Sequence, residues 1–234
     1  VTTPEAPDIQ RYLRRMVEAG LSHVVLEATS HGLVQKRVAE GAFDLAAVTN
    51  VTHEQLDYHV TYKDYLAAKG LLFEALSLDP VVKNGVRKLA VLNQDDESFS
   101  YLSSRTAAAQ LSYGLAREAD VWADDIGYSP SGINYIVHGF GEGFVVQTSL
   151  IGMYNIYNSL AAIGVTVRGL DIAIETVQKA FLTAPPVPGR MERIEMGQDF
   201  LAIVYFAHPP NAIKQALTAA RELTDGKVTA VIGS

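Results

Sequence analysis

Three neighbouring stretches decide the fold: FDLAAVTNV (residues 43–51), YKDYLAAKGLLFEAL (62–76) and RKLAVLN (87–93). The first and third are near-continuous apolar runs of strand length. The middle one repeats Tyr62, Tyr65, Leu66, Leu72, Phe73 and Leu76 at helical spacing. Apolar strands alternating with helices predict a parallel sheet covered on both faces. Upstream, HVVLEAT (23–29) reads as another short apolar strand. It follows an amphipathic helix over 5–19 with Ile9, Tyr12, Leu13, Met16 and Val17 on one face. Downstream, a helix is expected over Asp95–Thr106, capped by Asp95 or Asp96.

From about Gln110 to Gly152 the pattern changes. VWADDIGY, GINYIVHGF and GFVVQTSLIG alternate apolar and polar residues and are joined by the turns SPSG and GEG, which predicts antiparallel hairpins. Helices follow near Asn155–Gly164 and Leu170–Leu182. TAPPVPGR (183–190) is a Pro-rich break and the natural linker. Beyond it come a strand, FLAIVYFA, a helix from about Asn211 to Leu223, and a strand, KVTAVIG. The expected architecture is α/β: a mostly parallel sheet flanked by helices, an antiparallel hairpin subsheet, and the start of a second, Rossmann-like unit. The division falls at 1–184 and 185–234. Val1 and the closing residues KVTAVIGS suggest a fragment at both ends.

At 234 residues and 48% hydrophobic, the chain can bury one ordinary core or two smaller ones. Its net charge of −7 argues against a nucleic-acid footprint. No apolar run approaches the ~20 residues of a membrane span. The absence of cysteine excludes disulfides and thiol catalysis and fits a cytoplasmic protein.

Open α/β sheets bind ligands beyond the carboxyl ends of their strands. There the strand at 23–29 delivers Glu27, Thr29, Ser30 and His31. The strand at 43–51 delivers Thr49, Asn50 and Thr52, followed by His53, Glu54, Asp57 and His59. Carboxylates such as Glu27 suit a hard cation held together with phosphate oxygens. The competing reading is that these residues are helix caps and loop polars. A metal hydrolase built on His31, His53 and His59 lacks the i, i+4 spacing of a helical zinc pair.

Lys69 interrupts the apolar stripe of residues 62–76. A buried ammonium is costly, and lysine tends to lose its proton instead. The neutral amine can add CO₂ and become a carbamate, a carboxylate on a long arm. Alternatively the stem packs and the head reaches water.

The segments TTPE, EATSHGLVQKR, FDLAAVTNVTHEQLDYHVTYKDYLAAKGLLF, GMYNIYN, VPGRMERI and AHPPNAI closely resemble the Mur ligases, in order and over nearly the whole chain. Within that family the resemblance is to the tripeptide-synthetase (MurE) type. It implies an ATP-dependent ligase of peptidoglycan biosynthesis, and so of cell-wall growth, cell shape and division. Such enzymes add an amino acid, meso-diaminopimelate or L-lysine, to UDP-N-acetylmuramoyl-L-alanyl-D-glutamate through an acyl phosphate, using ATP and Mg²⁺. A cytoplasmic monomer without nucleic-acid or membrane partners is expected. By resemblance, Thr2, Thr3, Thr29, Gln35 and Arg37 contact the UDP-MurNAc-dipeptide. Glu27 and carbamylated Lys69 serve catalysis and hold Mg²⁺. Asn155, Asn158, Arg190 and His208 lie near the nucleotide.

Three positions depart from the family pattern. Gln55 stands where relatives carry a metal-binding histidine and leaves at most a weaker amide ligand. Tyr205 and Asn211 stand where relatives carry acids. The phosphate-binding glycine loop would lie upstream of Val1 and the amino-acid-selecting motif beyond Ser234, so this stretch alone would not run the reaction. A non-catalytic relative that binds nucleotide or cell-wall precursor is the alternative.

Overall fold

The computed structural model describes residues 2–51, 61–78, 81–83, 85–129, 131–206 and 210–233, with Asn211 by its backbone alone. In chain order the elements are α1 (Ala6–Glu18), α2 (Ser30–Val34), β1 (Leu45–Ala47), α3 (Tyr62–Leu78), β2 (Leu89–Asn93), α4 (Phe99–Ser104) and β3 (Ala109–Gly114). Then follow β4 (Val121–Ser129), β5 (Gly132–His138), β6 (Phe144–Thr148), α5 (Met153–Ile163), α6 (Ile174–Thr183), β7 (Glu192–Ile194), β8 (Ala202–Val204) and α7 (Pro210–Glu222). The strand order of the main sheet is β1–β2–β3–β4–β5–β6, and β7 and β8 form a separate pair. The chain divides into two compact units, residues 1–111 and 112–234.

In the first unit β1 and β2 pair in parallel, Leu45 with Leu89 and Ala47 with Val91, and α3 makes the crossover. All five residues of β2 are buried, as a strand covered on both faces requires. Phe73 and Leu76 of α3 meet Ala46, Ala90, Leu92 and Leu102 in one core cluster. Gly70 lets α3 and α4 approach: a Cβ there would sit 3.2 Å from the Tyr101 ring. A second cluster joins Ile9 of α1 to Leu33 and Val38, with Leu13, Leu26 and Ala28 packed against it.

The stretch 23–29 is extended but is not a strand. Leu26 and Ala28 turn inward while Val25, 99% exposed, turns out. The apolar alternation is satisfied, but no described strand supplies a ladder partner. The strand expected over 43–51 shrinks to three residues, because after Val48, whose N–H donates to Val91 O, side chains take over the backbone bonds. Asn93 Nδ2 donates to Thr49 O at 2.7 Å, and the Asp96 carboxylate accepts the Val51 N–H at 3.3 Å. The same carboxylate takes the Ser98 N–H at 3.0 Å, so residues 95–98 form a turn and α4 begins at Phe99 rather than Asp95. On α1 only Ile9 is fully buried, and Tyr12 and Val17 are exposed.

In the second unit β4–β5–β6 is the expected antiparallel meander, with a bulge between Asp124 and Gly127. β3 corrects the expectation: Tyr113 and Gly114 pair in parallel with Val121 and Trp122. The Asp120 carboxylate, accepting both N–H and Oγ–H of Ser112, pins that short return. Gly132 turns β4 into β5 at φ +140°, and a Cβ there would meet Thr148 O at 1.9 Å. After α5 the helix continues as a π-helical turn over Gly164–Gly169.

β7, absent from the sequence reading, pairs antiparallel with β8. Ile151, Met191, Ala219 and Leu223 form this unit's second core, flanked by Tyr154, Ile203 and Tyr205. The predicted strand KVTAVIG is not one: residues 227–233 have no ladder, and Val231 is 95% exposed. Among the described residues no helix is long and apolar enough to cross a membrane.

Phe73, 1% exposed, is the largest wholly apolar side chain that α3 inserts into the first unit's core. Phe73→Ala should cost about 3–5 kcal/mol of unfolding free energy, read by urea denaturation followed by circular dichroism.

Candidate functional site

The first unit's candidate residues are assembled by local capping. Thr29, with φ −71° and ψ 152°, is the N-cap of α2, and its Oγ1 accepts the Gly32 N–H at 3.1 Å. The far end closes as a Schellman motif: Arg37 N–H donates to Gly32 O and Lys36 N–H to Leu33 O, with Lys36 at φ +57°. Five helical residues between two caps thus fix Thr29 at one end and Gln35 and Arg37 at the other.

Thr3 ties this turn to the extended segment before it. Its side chain is 1% exposed. Thr3 Oγ1 donates to Glu27 O at 2.8 Å and accepts the Thr29 N–H at 3.0 Å. Thr29 Oγ1 also lies 3.0 Å from Thr3 Oγ1. The Thr3 backbone carbonyl accepts from Arg37 Nη1 at 2.9 Å. Arg37 Nε donates to Gln35 Oε1 at 2.8 Å, and Nη2 lies 2.9 Å from Glu5 Oε1. Gly32 sits beneath this knot, where a Cβ would come within 2.8 Å of Thr3 Cγ2. Thr3, Thr29, Gln35 and Arg37 therefore form one bonded set, with Thr2 and Gln35 on the surface.

Lys69 projects from α3 to the end of the same extended segment. Its Nζ donates to Ala28 O at 3.4 Å and lies 5.8 Å from the Tyr65 ring centroid. Burial pushes its pKa below the usual lysine value, and the negative charge of Glu27 opposes that shift. The amine is neither sealed in the core nor free in solvent. It is half-buried beside an exposed carboxylate. A hard cation takes one or two carboxylates completed by water and phosphate oxygens, and Glu27 with a carbamate on Lys69 could supply those carboxylates. Among the described residues no three His, Asp or Glu gather into a ready metal cluster. Gln55, His53 and His59 lie outside the described residues, as does His208.

The second unit carries the other candidates. Asn155, in the first turn of α5, donates through Nδ2 to Ile151 O at 2.7 Å and accepts from Asn158 Nδ2 at 3.1 Å. Neither bond caps the helix: the N-cap of α5 is Gly152, with no side-chain cap hydrogen bond. Arg190 is exposed and follows Gly189, whose φ is +69°. Tyr154, which the sequence reading did not single out, connects these residues. Its hydroxyl is buried, which raises its pKa; the nearby Tyr205 adds to the rise and the charge of Arg190 opposes it. Glu5 and Tyr65 were also missed. Glu5 lay within the quoted TTPE, and only the fold shows what its carboxylate touches.

A family model described as Mur ligase middle domain matches residues 1–166. The chain is 37% identical over 232 residues to the UDP-N-acetylmuramoyl-L-alanyl-D-glutamate–2,6-diaminopimelate ligase of Geobacillus thermodenitrificans (strain NG80-2), covering 99% of this chain and 47% of that protein. It is 40% identical over 239 residues to the UDP-N-acetylmuramyl-tripeptide synthetase of Roseiflexus sp. (strain RS-1), covering 100% of this chain and 47% of that one. A solved structure of a UDP-N-acetylmuramoyl-L-alanyl-D-glutamate–2,6-diaminopimelate ligase superposes with a TM-score of 0.81 at 27% identity, over 95% of this chain and 44% of that one. The chain spans about half the length of the curated relatives it matches.

The lowered pKa of Lys69 has a sign that stability can report. In the folded protein the amine gives up its proton at a lower pH than in the unfolded chain. Between the two pKa values the unfolded state binds more protons, so stability rises with pH. The cost of the buried charge is full below the folded pKa and relieved as pH approaches the unfolded value of about 10.5. Lys69→Met, which keeps the stem and removes the charge, should stabilise the protein at pH 7 by on the order of 1 kcal/mol. That advantage should shrink steadily toward pH 10 in urea titrations.

Proposed function

From the premise that the chain belongs to the Mur ligase family, we propose that the protein it forms part of is an ATP-dependent ligase of peptidoglycan synthesis. It joins an amino acid, meso-diaminopimelate or L-lysine, to UDP-N-acetylmuramoyl-L-alanyl-D-glutamate. The observation that carries the reading is the juxtaposition of Lys69 with Ala28 O and the Glu27 charge at the end of the extended segment. In this reading residues 1–184 are the central domain and 185–234 begin the C-terminal one.

The ligand's terminal carboxylate takes the γ-phosphoryl group of ATP, giving an acyl phosphate and ADP. The amine of the incoming amino acid attacks the carbonyl carbon, and phosphate leaves with the bonding electrons. The chain's residues serve positioning and charge. Thr29 and Thr2 face the UDP-sugar dipeptide. Thr3 acts from beneath, its hydroxyl already committed to Glu27 O and Thr29. Arg37 and Gln35 receive an acidic group of the same ligand, a task for which the planar guanidinium fork is suited.

Lys69 in its neutral form adds CO₂ across the N–H, forming an N–C bond and releasing one proton, and becomes a carboxylate. Glu27 and this carbamate would hold Mg²⁺, with Gln55 a weaker third ligand. What Mg²⁺ supplies when bound is neutralisation of charge on the phosphate oxygens. Asn155, Asn158, Arg190 and His208 would lie along the nucleotide.

Lys69→Ala in the full-length protein should lower ligase turnover by at least ~100-fold while leaving the circular dichroism spectrum unchanged. The assay is ADP release dependent on both UDP-MurNAc-dipeptide and the amino acid. Full turnover in that variant would leave Lys69 a snorkelling surface lysine.

A second reading has one observation behind it. Tyr205, at a position where the family pattern has an acid, packs with Tyr154 against the second unit's core. A phenol there brings no anion, which suits a relative that binds precursor or nucleotide without turnover. If the full-length protein is inactive, Gln55→His combined with Tyr205→Asp should restore ADP release under this reading. Activity without these changes removes it.

A further inference from the structure

Glu5 stands at the N-cap of α1, yet its side chain makes no cap hydrogen bond. A carboxylate at that position ordinarily gains from the free N–H groups and the positive end of the helix. Instead Glu5 Oε1 lies 2.9 Å from Arg37 Nη2. The two partners are unequally placed: the Glu5 side chain is 64% exposed and that of Arg37 only 15%.

The rest of the Arg37 fork is held by neutral acceptors. Nη1 donates to the Thr3 carbonyl at 2.9 Å and Nε to Gln35 Oε1 at 2.8 Å. The guanidinium is thus fixed in direction by two internal bonds. Its charge is answered by one carboxylate, that of the exposed Glu5. An ion pair whose carboxylate is this exposed contributes little to stability. Replacing Glu5 by another carboxylate would leave the Thr3 and Gln35 bonds intact.

We propose that Glu5 is an internal stand-in for a substrate carboxylate, occupying the open face of the Arg37 fork in the unliganded protein and yielding it to the acidic group of the UDP-sugar dipeptide. The proposal rests on the reading of Arg37 as a substrate contact. Binding is then an exchange of one carboxylate for another at a preset guanidinium. Glu5 lowers apparent affinity by competing, and it holds the fork in the form that accepts an acid. Because the exchange hardly changes the charge around Arg37, this part of binding is insensitive to salt.

The test uses the full-length protein and titration calorimetry with UDP-N-acetylmuramoyl-L-alanyl-D-glutamate. Glu5→Gln should tighten binding about two- to fivefold at low ionic strength. The gain should vanish toward ~0.5 M salt, where screening weakens the newly unopposed attraction to Arg37. Unchanged or weaker binding at low salt, or a gain that salt does not erode, overturns the proposal and leaves Glu5 a brace. Should Glu5→Gln fail to fold, Glu5→Asp withdraws the same charge by one methylene and is expected to tighten binding in the same direction. Arg37→Lys separates the two layers of the argument. Weaker binding in that variant, with no gain from Glu5→Gln, removes the role of Glu5 alone. Unchanged binding in Arg37→Lys removes the substrate site on which it rests.

Discussion

The hydroxyl of Thr3 is the constraint on which the first unit's candidate site depends. Residues 26–29 run extended without a ladder in the described structure, so their backbone groups need other partners. One buried oxygen supplies two of them, accepting from Thr29 N–H and donating to Glu27 O. Glu27 is thereby fixed at its main chain while its carboxylate stays in solvent. Thr29 is fixed at the cap of α2, and the Thr3 carbonyl in turn anchors Arg37. Serine in place of Thr3 would keep the hydrogen bonds and lose the methyl that lies against Gly32. Valine would keep the shape and leave two backbone groups unanswered, the larger loss.

Lys69 belongs to the same logic seen from the other side. The apolar stripe of α3 drives the helix onto β1 and β2 and carries the lysine with it. The protein therefore meets the cost of a half-buried amine out of the packing of Tyr65, Phe73 and Leu76. Burial depletes the charged form, and Glu27 limits how far that goes. An amine balanced in this way gives up its proton at a lower pH than one in open water, which favours reaction with an electrophile. Hydrophobic packing and chemical reactivity are coupled through a single side chain.

The legible parts of the chain were those where periodicity and burial agree. β2 and α3 read cleanly because one is buried along its whole length and the other on one stripe. The hairpins of 121–148 read cleanly because alternation and turn glycines point the same way. The differences share a physical cause: apolar content favours a strand, but a ladder also needs a neighbour. HVVLEAT and KVTAVIG have the residues of strands and no partner among the described residues. The short helix α2 was hidden because its stability lies in two caps rather than in any apolar pattern. In the site, resemblance named Thr3, Gln35 and Arg37 separately. Only the fold showed them bonded to one another, with Glu5 as the added member.

That wiring bears on how such a site can tolerate change elsewhere. A group whose hydrogen bonds are already made to its neighbours loses little orientational freedom when a ligand arrives. Arg37 and Thr29 are preset in this sense, whereas Arg190 in the second unit is exposed, with charge coupling to Tyr154. Substitution of an acid by Tyr205 therefore falls on the less constrained part of the molecule. There a phenol can join the apolar cluster of Ile151, Met191, Ala219 and Leu223. A comparable change at Thr3 would undo the positions of Glu27, Thr29 and Arg37 together, because all three hang from one residue. Departures from the family pattern are thus least costly where side chains are held singly, and Tyr205 lies in such a place.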